Sequence, residues 1–125
     1  MGFVHHSNYL IWFEAARTRL FQRLGLTYSQ LESEGIYSPV VAADAKYLWP
    51  ARYEDLIRVV ARLDRMTAAR VRFNYEVYRV KDDKLLATGS TMHGFIDQAG
   101  RPLAIKKRIP LLWEAAKQAG IGSGS

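Results

Sequence analysis

Three histidines, no cysteine and one glutamate set inside an apolar run are the residues of this chain that bear most directly on chemistry. His5 and His6 are adjacent, and His93 lies far along the chain. Neighbouring side chains at the entry to a helix diverge, so the imidazoles make a poor ligand set and no metal is expected. The imidazole of His6 belongs to the one side-chain type that titrates near neutral pH. Without cysteine there is no thiolate nucleophile, disulfide framework or thiolate-bound cluster. Glu14 sits among Tyr9, Trp12, Phe13 and Ala16. It reads either as an ion-pair partner of Arg17 or Arg19 or as a carboxylate facing a pocket. The cations are spread through the chain instead of forming one long block; Arg65 and Arg70 flank Thr67, and Lys106, Lys107 and Arg108 form the densest group.

Eighteen Lys and Arg against twelve Asp and Glu give a net charge of +6. A basic surface draws nucleic acid, anionic membranes or phosphorylated small molecules. Nucleic acid is not expected, because it calls for a basic stripe with exposed stacking rings, and Trp12 and Phe13 read as buried. No apolar run approaches the roughly 20 residues needed to cross a bilayer. No basic, then apolar, leader opens the chain, so a cytoplasmic location is expected.

These residues need elements to hold them. A helix is expected from a cap at Ser7 or Asn8 to Gly25, apolar nearly all round in its first two turns and therefore enclosed by other structure. Thr27 and Gln30 have capping-box spacing for a second short helix that Gly35 closes. From Tyr37 the period changes to two. Strands are expected over Val40–Trp49, Leu56–Arg65, Arg70–Arg79 and Lys84–Ile96, in a meander, with turns at Lys81–Asp83 and Asp97–Gly100. Leu103–Arg108 reads as a short edge strand, and Pro110 suits the first turn of a closing helix over Leu111–Gln118. With 125 residues and 49% hydrophobic content, one domain over residues 1–119 is expected, followed by a flexible Gly/Ser tail over 120–125. The resulting class is α+β, a long antiparallel sheet wrapped around a central helix. An open edge strand in such a sheet favours pairing with a second copy, giving a homodimer or homotetramer.

The segment GFVHHSNYLIWFEAAR, from Gly2 to Arg17, resembles the start of the 4-hydroxybenzoyl-CoA thioesterase family, within the hot-dog-fold acyl-CoA thioesterases. Gly2, Val4, His6, Asn8, Tyr9, Phe13, Glu14, Ala16 and Arg17 carry the likeness. Tyr47, Pro50 and Ala51 resemble a Tyr-x-x-Pro-Ala segment, Phe73–Val77 a central strand, and Gly100–Pro102 a last turn. The resemblance implies hydrolysis of an acyl-CoA, or an acyl group on a carrier protein, with coenzyme A entering as part of the substrate and no other cofactor. It makes the backbone amide of His6 the group that polarises the thioester carbonyl. It makes Asn8, Tyr9, Trp12, Phe13 and Tyr47 substrate-binding. It sends the nucleotide of CoA to Arg65, Thr67 and Arg70, and secondarily to Lys106, Lys107 and Arg108. Glu14 takes the catalytic-carboxylate role that a helix glutamate has in some other hot-dog thioesterases. The family's own aspartate stands three positions before the glycine, which here falls ahead of Met1, as does the family's first strand. The chain is then a shortened form, a piece starting at an internal methionine, or a module that binds acyl-CoA or acyl carrier protein without hydrolysing it.

Overall fold

The computed structural model describes residues 6–121, with side chains from Asn8 onward. The elements run α1 (His6–Arg23), α2 (Tyr28–Ser33), β1 (Val40–Tyr47), β2 (Ile57–Met66), β3 (Arg70–Arg79), β4 (Lys84–Gly94), α3 (Ile105–Arg108) and α4 (Pro110–Gln118). The four strands form one antiparallel sheet in the order β1-β4-β3-β2. α1 packs on one face of it, with the core between them, giving the α+β arrangement of the hot-dog fold.

The alternation in β3 does what its period demands. Val71, Phe73, Tyr75 and Val77 point inward at no more than 1% exposure, and Arg70 and Asn74 point out. α1 supplies the facing layer through Tyr9, Phe13 and Phe21, a stripe at intervals of four that is continued by Arg17. Phe13 stacks on Tyr75 with ring centroids 4.4 Å apart and planes 11° from parallel. That approach depends on Gly89 of β4, since a Cβ there would lie 2.5 Å from the Phe13 ring and 2.8 Å from the Asp44 carbonyl oxygen.

Other local signals hold. The Thr27 hydroxyl accepts from the Gln30 amide at 3.1 Å, as a capping residue should. Gly25 ends the α1 turn with φ +82°, a left-handed conformation that a side chain disfavours. Pro110 occupies the first turn of α4.

Five expectations change. α1 already includes Ser7 and Asn8, so neither caps it from outside. α1 is not enclosed: Leu10 and Ile11 are 48% and 58% exposed, because the sheet covers only one side of the helix. β1 pairs with β4, not β2. Tight hairpins use about two to five linking residues, and the longer 48–56 link carries the chain past the sheet end instead. Residues 103–108 form no edge strand: Ile105–Arg108 is helical, since the buried Ile105 and Ile109 are four apart and point to one side. Glu14 is exposed and makes no ion pair with Arg17 or Arg19 among the described residues. The expected tail falls almost wholly outside the described residues.

Candidate active site

The first turns of α1 hold Asn8, Tyr9, Trp12 and Phe13, four of the residues that the family resemblance assigns to substrate, and the fifth, Tyr47, ends β1. The leading amides of a helix have no intrahelical acceptor, and α1 is described from His6 onward. Their partial positive charge suits an oxygen on which negative charge develops. His5 and the His6 imidazole lie outside what is described. Asn8 is half-buried on the first turn. Tyr9 is buried, and its ring centroid lies 4.9 Å from Trp12 and 4.9 Å from Tyr47 in tilted and edge-on contacts. Burial pushes the Tyr9 phenol up, and the Ala51 backbone, hydrogen-bonded to it, works against that shift. Tyr9, Trp12 and Tyr47 therefore form one aromatic cluster where β1 ends and α1 begins. Phe13 stands apart from them, fully buried under the helix against Tyr75 and Gly89.

The two groups of cations do meet each other. The turn between β2 and β3 is closed by the Thr67 amide donating to the Arg70 carbonyl at 2.8 Å, and by the Arg70 amide donating to the Thr67 hydroxyl at 3.1 Å. The Ile105 amide donates to the Ala68 carbonyl at 2.8 Å, which seats α3 directly on that turn. Arg65 and Arg70 thus share one end of the molecule with Lys106, Lys107 and Arg108, all of them exposed. Arg108 also donates to the Glu34 carbonyl at 3.3 Å.

This basic end is not where α1 starts. Tyr47 pairs with Ala87 near one end of the sheet, whereas Arg70 pairs with Gly94 at the other. α1 spans the distance between them: Tyr9 meets Tyr47, and Phe21 meets Phe73 with centroids 5.8 Å apart. Its 18 residues make it about 27 Å long. Within one chain, then, the structure gathers the CoA candidates together and holds them away from the aromatic cluster.

Two cavities flank these elements. One of about 470 Å³ lies on the sheet face turned away from α1, among Asp44, Arg62, Arg72, Asn74 and Glu76. The other, about 400 Å³, is a groove between α1 and β2 lined by Trp12, Ala15, Ala16, Leu20, Val59 and Ala61, with Arg19 and Arg23 on its rim. Only the second touches the aromatic cluster, through Trp12.

The sequence reading missed a buried polar chain beneath α1. Arg17 is 8% exposed and donates to the Tyr28 hydroxyl from Nε and to the Tyr75 hydroxyl from Nη1, both at 3.0 Å. The Tyr75 hydroxyl lies 2.6 Å from the Thr91 hydroxyl, which is 2.8 Å from Nε2 of His93. Burial opposes the Arg17 charge, and the two phenols more than offset it. Burial and the nearby Arg17 lower His93 to about 4, with the Ser38 backbone acting the other way. The signal was present in the spacing, since Arg17 continues the Tyr9–Phe13 interval onto the buried face.

Residues 1–119 match the Thioesterase-like superfamily. The chain is 31% identical over 111 residues to a Bacillus subtilis protein named "Putative acyl-CoA thioesterase YneP", covering 88% of this chain and 80% of that one. Its fold superposes on the DHNA-CoA thioesterase of Staphylococcus aureus with a TM-score of 0.88 and 29% identity, covering 96% of this chain and 80% of that one. It superposes on the hypothetical protein TT1821 of Thermus thermophilus with a TM-score of 0.75 and 36% identity, covering 83% and 78% of the two chains. An antiparallel sheet packed on a long first helix, an aromatic cluster at that helix's amino end and these likenesses agree: the chain belongs to the thioesterase-like superfamily of hot-dog proteins.

Proposed function

We propose that the protein binds acyl-CoA thioesters and hydrolyses them to a free acid and CoA. The observation that carries this reading is the aromatic cluster of Tyr9, Trp12 and Tyr47 against the first turns of α1, in a chain that matches the superfamily over residues 1–119. The carbonyl oxygen of the thioester faces the amide of His6, and the acyl group lies along the aromatic cluster. The Gly2–Arg17 segment supports a place near the 4-hydroxybenzoyl-CoA branch, and an acyl group on a carrier protein is the second substrate form. The reaction needs a carboxylate and water and no further cofactor. Glu14 is the carboxylate within the described helix. Its exposure favours slow turnover, because no packed neighbour fixes it against the substrate. We place the reaction in the cytoplasm; no helix among the described residues is long and apolar enough to cross a membrane.

The separation of the basic end from the aromatic cluster favours a homodimer. An antiparallel pair of β1 strands, one from each copy, sets the Tyr47 end of one beside the Val40 end of the other. The cluster then adjoins the partner's Arg65, Arg70, Lys106 and Lys107, which take the CoA phosphates. Stacking of two such dimers gives the homotetramer.

The test is release of thiol from short, medium and aromatic acyl-CoAs, run beside calorimetry with CoA. Binding with slow turnover is expected of these 125 residues, and turnover that collapses in Glu14→Gln assigns the carboxylate. Binding without hydrolysis, even after upstream extension to supply an aspartate, makes the protein a binding module. No CoA binding rejects the reading.

A further inference from the structure

The buried polar chain beneath α1 has no part in the proposed chemistry, yet its hydrogen bonds run in one direction. Arg17 can only donate, because a guanidinium has N–H groups and no acceptor. Its Nη1 donates to the Tyr75 hydroxyl at 3.0 Å. Tyr75 then has one proton left to give, and its other partner is the Thr91 hydroxyl at 2.6 Å. Thr91 accepts that proton and has one of its own. The partner left for it is Nε2 of His93 at 2.8 Å, which must offer a lone pair. A neutral imidazole holds its proton on one nitrogen alone, so the network assigns that proton to Nδ1. The opposite order fails at Thr91, which would accept from both sides and leave its own proton without a partner among the described residues. Nδ1 is buried with no hydrogen bond of ordinary geometry among the described residues. The Ser38 backbone favours the charged form of the ring, as an acceptor for a ring proton does.

The chain holds Tyr75 by its hydroxyl from two elements, Arg17 on α1 and Thr91 on β4. The ring so held is the one on which Phe13 stacks, at 4.4 Å and 11° from parallel. Gly89, across from Tyr75 in the sheet, closes the other side of that seat, since a Cβ there would lie 2.5 Å from the Phe13 ring. Phe13 thus has one place to rest, and α1 has one setting along the sheet. The described start of α1 lies about two turns before Phe13, roughly 10 Å along the helix. Tyr9, one turn before Phe13 on the same stripe, carries that setting to Tyr47. Donors that polarise a carbonyl act only from the right distance, so the seat of Phe13 bears on them directly.

We infer that Tyr75 is a positioning residue, held by a one-way chain from Arg17 through Tyr75 and Thr91 to a His93 protonated on Nδ1. It fixes the ring under Phe13 and so aims the amino end of α1 at the thioester carbonyl. The aiming rests on the hydrolase reading above, and the direction of the chain does not.

Small changes of side chain test both halves. Tyr75→Phe keeps the ring and frees it at the hydroxyl end. Thr91→Val keeps the side-chain shape and removes the hydroxyl, and Thr91→Ser keeps the hydroxyl. A 1 Å misplacement of reacting groups costs roughly 100-fold in rate, and a loosened ring costs less. Tyr75→Phe and Thr91→Val are each expected to lower kcat about tenfold at nearly constant KM, with Thr91→Ser keeping most of the wild-type rate. Circular dichroism sets an assay temperature at which every variant is folded, so lost stability alone does not produce this split. The direction of the chain is read without substrate, by nitrogen NMR of the histidine rings, with His93→Gln identifying the His93 signals. Nδ1 is expected to be the protonated nitrogen in the wild type and in Thr91→Ser, and that preference to weaken in Thr91→Val. A proton on Nε2 overturns the chain. The expected proton order with an unchanged kcat in Tyr75→Phe overturns the positioning role. A wild type that hydrolyses no acyl-CoA rejects the hydrolase reading instead. The seat of α1 is then judged by the ring-current shifts between Tyr9 and Tyr47: a change in Tyr75→Phe that Thr91→Ser lacks upholds it, and no change overturns it.

Discussion

β3 and β1 belong to one sheet, yet β3 has a strand on each side, whereas among the described residues β1 has a strand on one side and is mostly exposed. β3 lies between β2 and β4 and turns four side chains into the core at no more than 1% exposure. Among the described residues β1 has one neighbouring strand, and one of its own residues is half-buried. Burying an apolar side chain contributes roughly 1.5–3 kcal/mol, so the stability of the single chain is concentrated at the centre. The edge leaves Val40, Val41, Leu48 and Trp49 exposed. The proposed functions of binding and assembly fall on the side that folding leaves unsatisfied, where a surface can be exchanged for a partner without loss of the core.

The strongest way to break this contrast is Phe13→Ala. Phe13 is fully buried, stacked on Tyr75 and set against the Gly89 backbone. Arg17 ties α1 to Tyr75 one turn further on, so the helix cannot settle into the vacated space. A loss of about 3–5 kcal/mol is expected, read as a lower urea midpoint at unchanged slope. Val40→Ala, at a position 53% exposed, should shift the same midpoint by less than about 0.5 kcal/mol. Comparable losses at the two sites would show that β1 carries the fold as much as the centre does.

Acid probes the centre differently. His93 is 1% exposed, and its imidazole is lowered from 6.5 to about 4. The unfolded chain therefore takes up a proton between these values that the folded chain refuses. Stability is complete above pH 6.5, falls as pH drops toward 4, and from this group falls no further below that. The loss amounts to about 3 kcal/mol. Urea unfolding from pH 7.5 down to 4 should trace it, and His93→Gln should flatten that part of the profile. A profile that is equally steep without His93 would assign the acid sensitivity to other groups.

What the chain reveals in one dimension follows the same division. The alternation of Val71, Phe73, Tyr75 and Val77 was legible because an inward face repeats every second residue. The Thr27 cap and the Gly25 stop were legible because each acts within one turn. The partner of β1 was not, since local pattern does not say which strand lies across a sheet. The open flank of α1 was misread because Leu10 and Ile11 are apolar and yet lie on the side that the sheet leaves uncovered. The aromatic cluster was legible as residue types, Tyr9, Trp12 and Tyr47, through the family likeness. The distance of Arg65, Arg70 and Lys106 from that cluster was not, because it is fixed by the length of α1 and the direction of the strands. The Arg17 chain was overlooked because an arginine on a helix is ordinarily solvated, and only its place in the Tyr9–Phe13 interval argued otherwise.

The finest distinction is at the rim, with Trp49→Ala. Trp49 follows β1 and is 54% exposed, and the Lys84 ammonium sits 3.6 Å from its ring centroid. An exposed cation–π contact contributes about 0.5–1 kcal/mol, and little buried area is lost with it. Dilute protein should therefore unfold at nearly the wild-type midpoint, lower by about 0.5 kcal/mol. The same ring is part of the apolar area beside the open edge, so its removal should weaken self-association more than it weakens the fold. Urea titrations at low and high protein concentration separate the two, because only an assembling protein gains stability with concentration. If Trp49→Ala lowers the midpoint equally at both concentrations, the ring serves the chain it belongs to, and the division between a self-satisfied centre and an outward-looking edge does not extend past Tyr47.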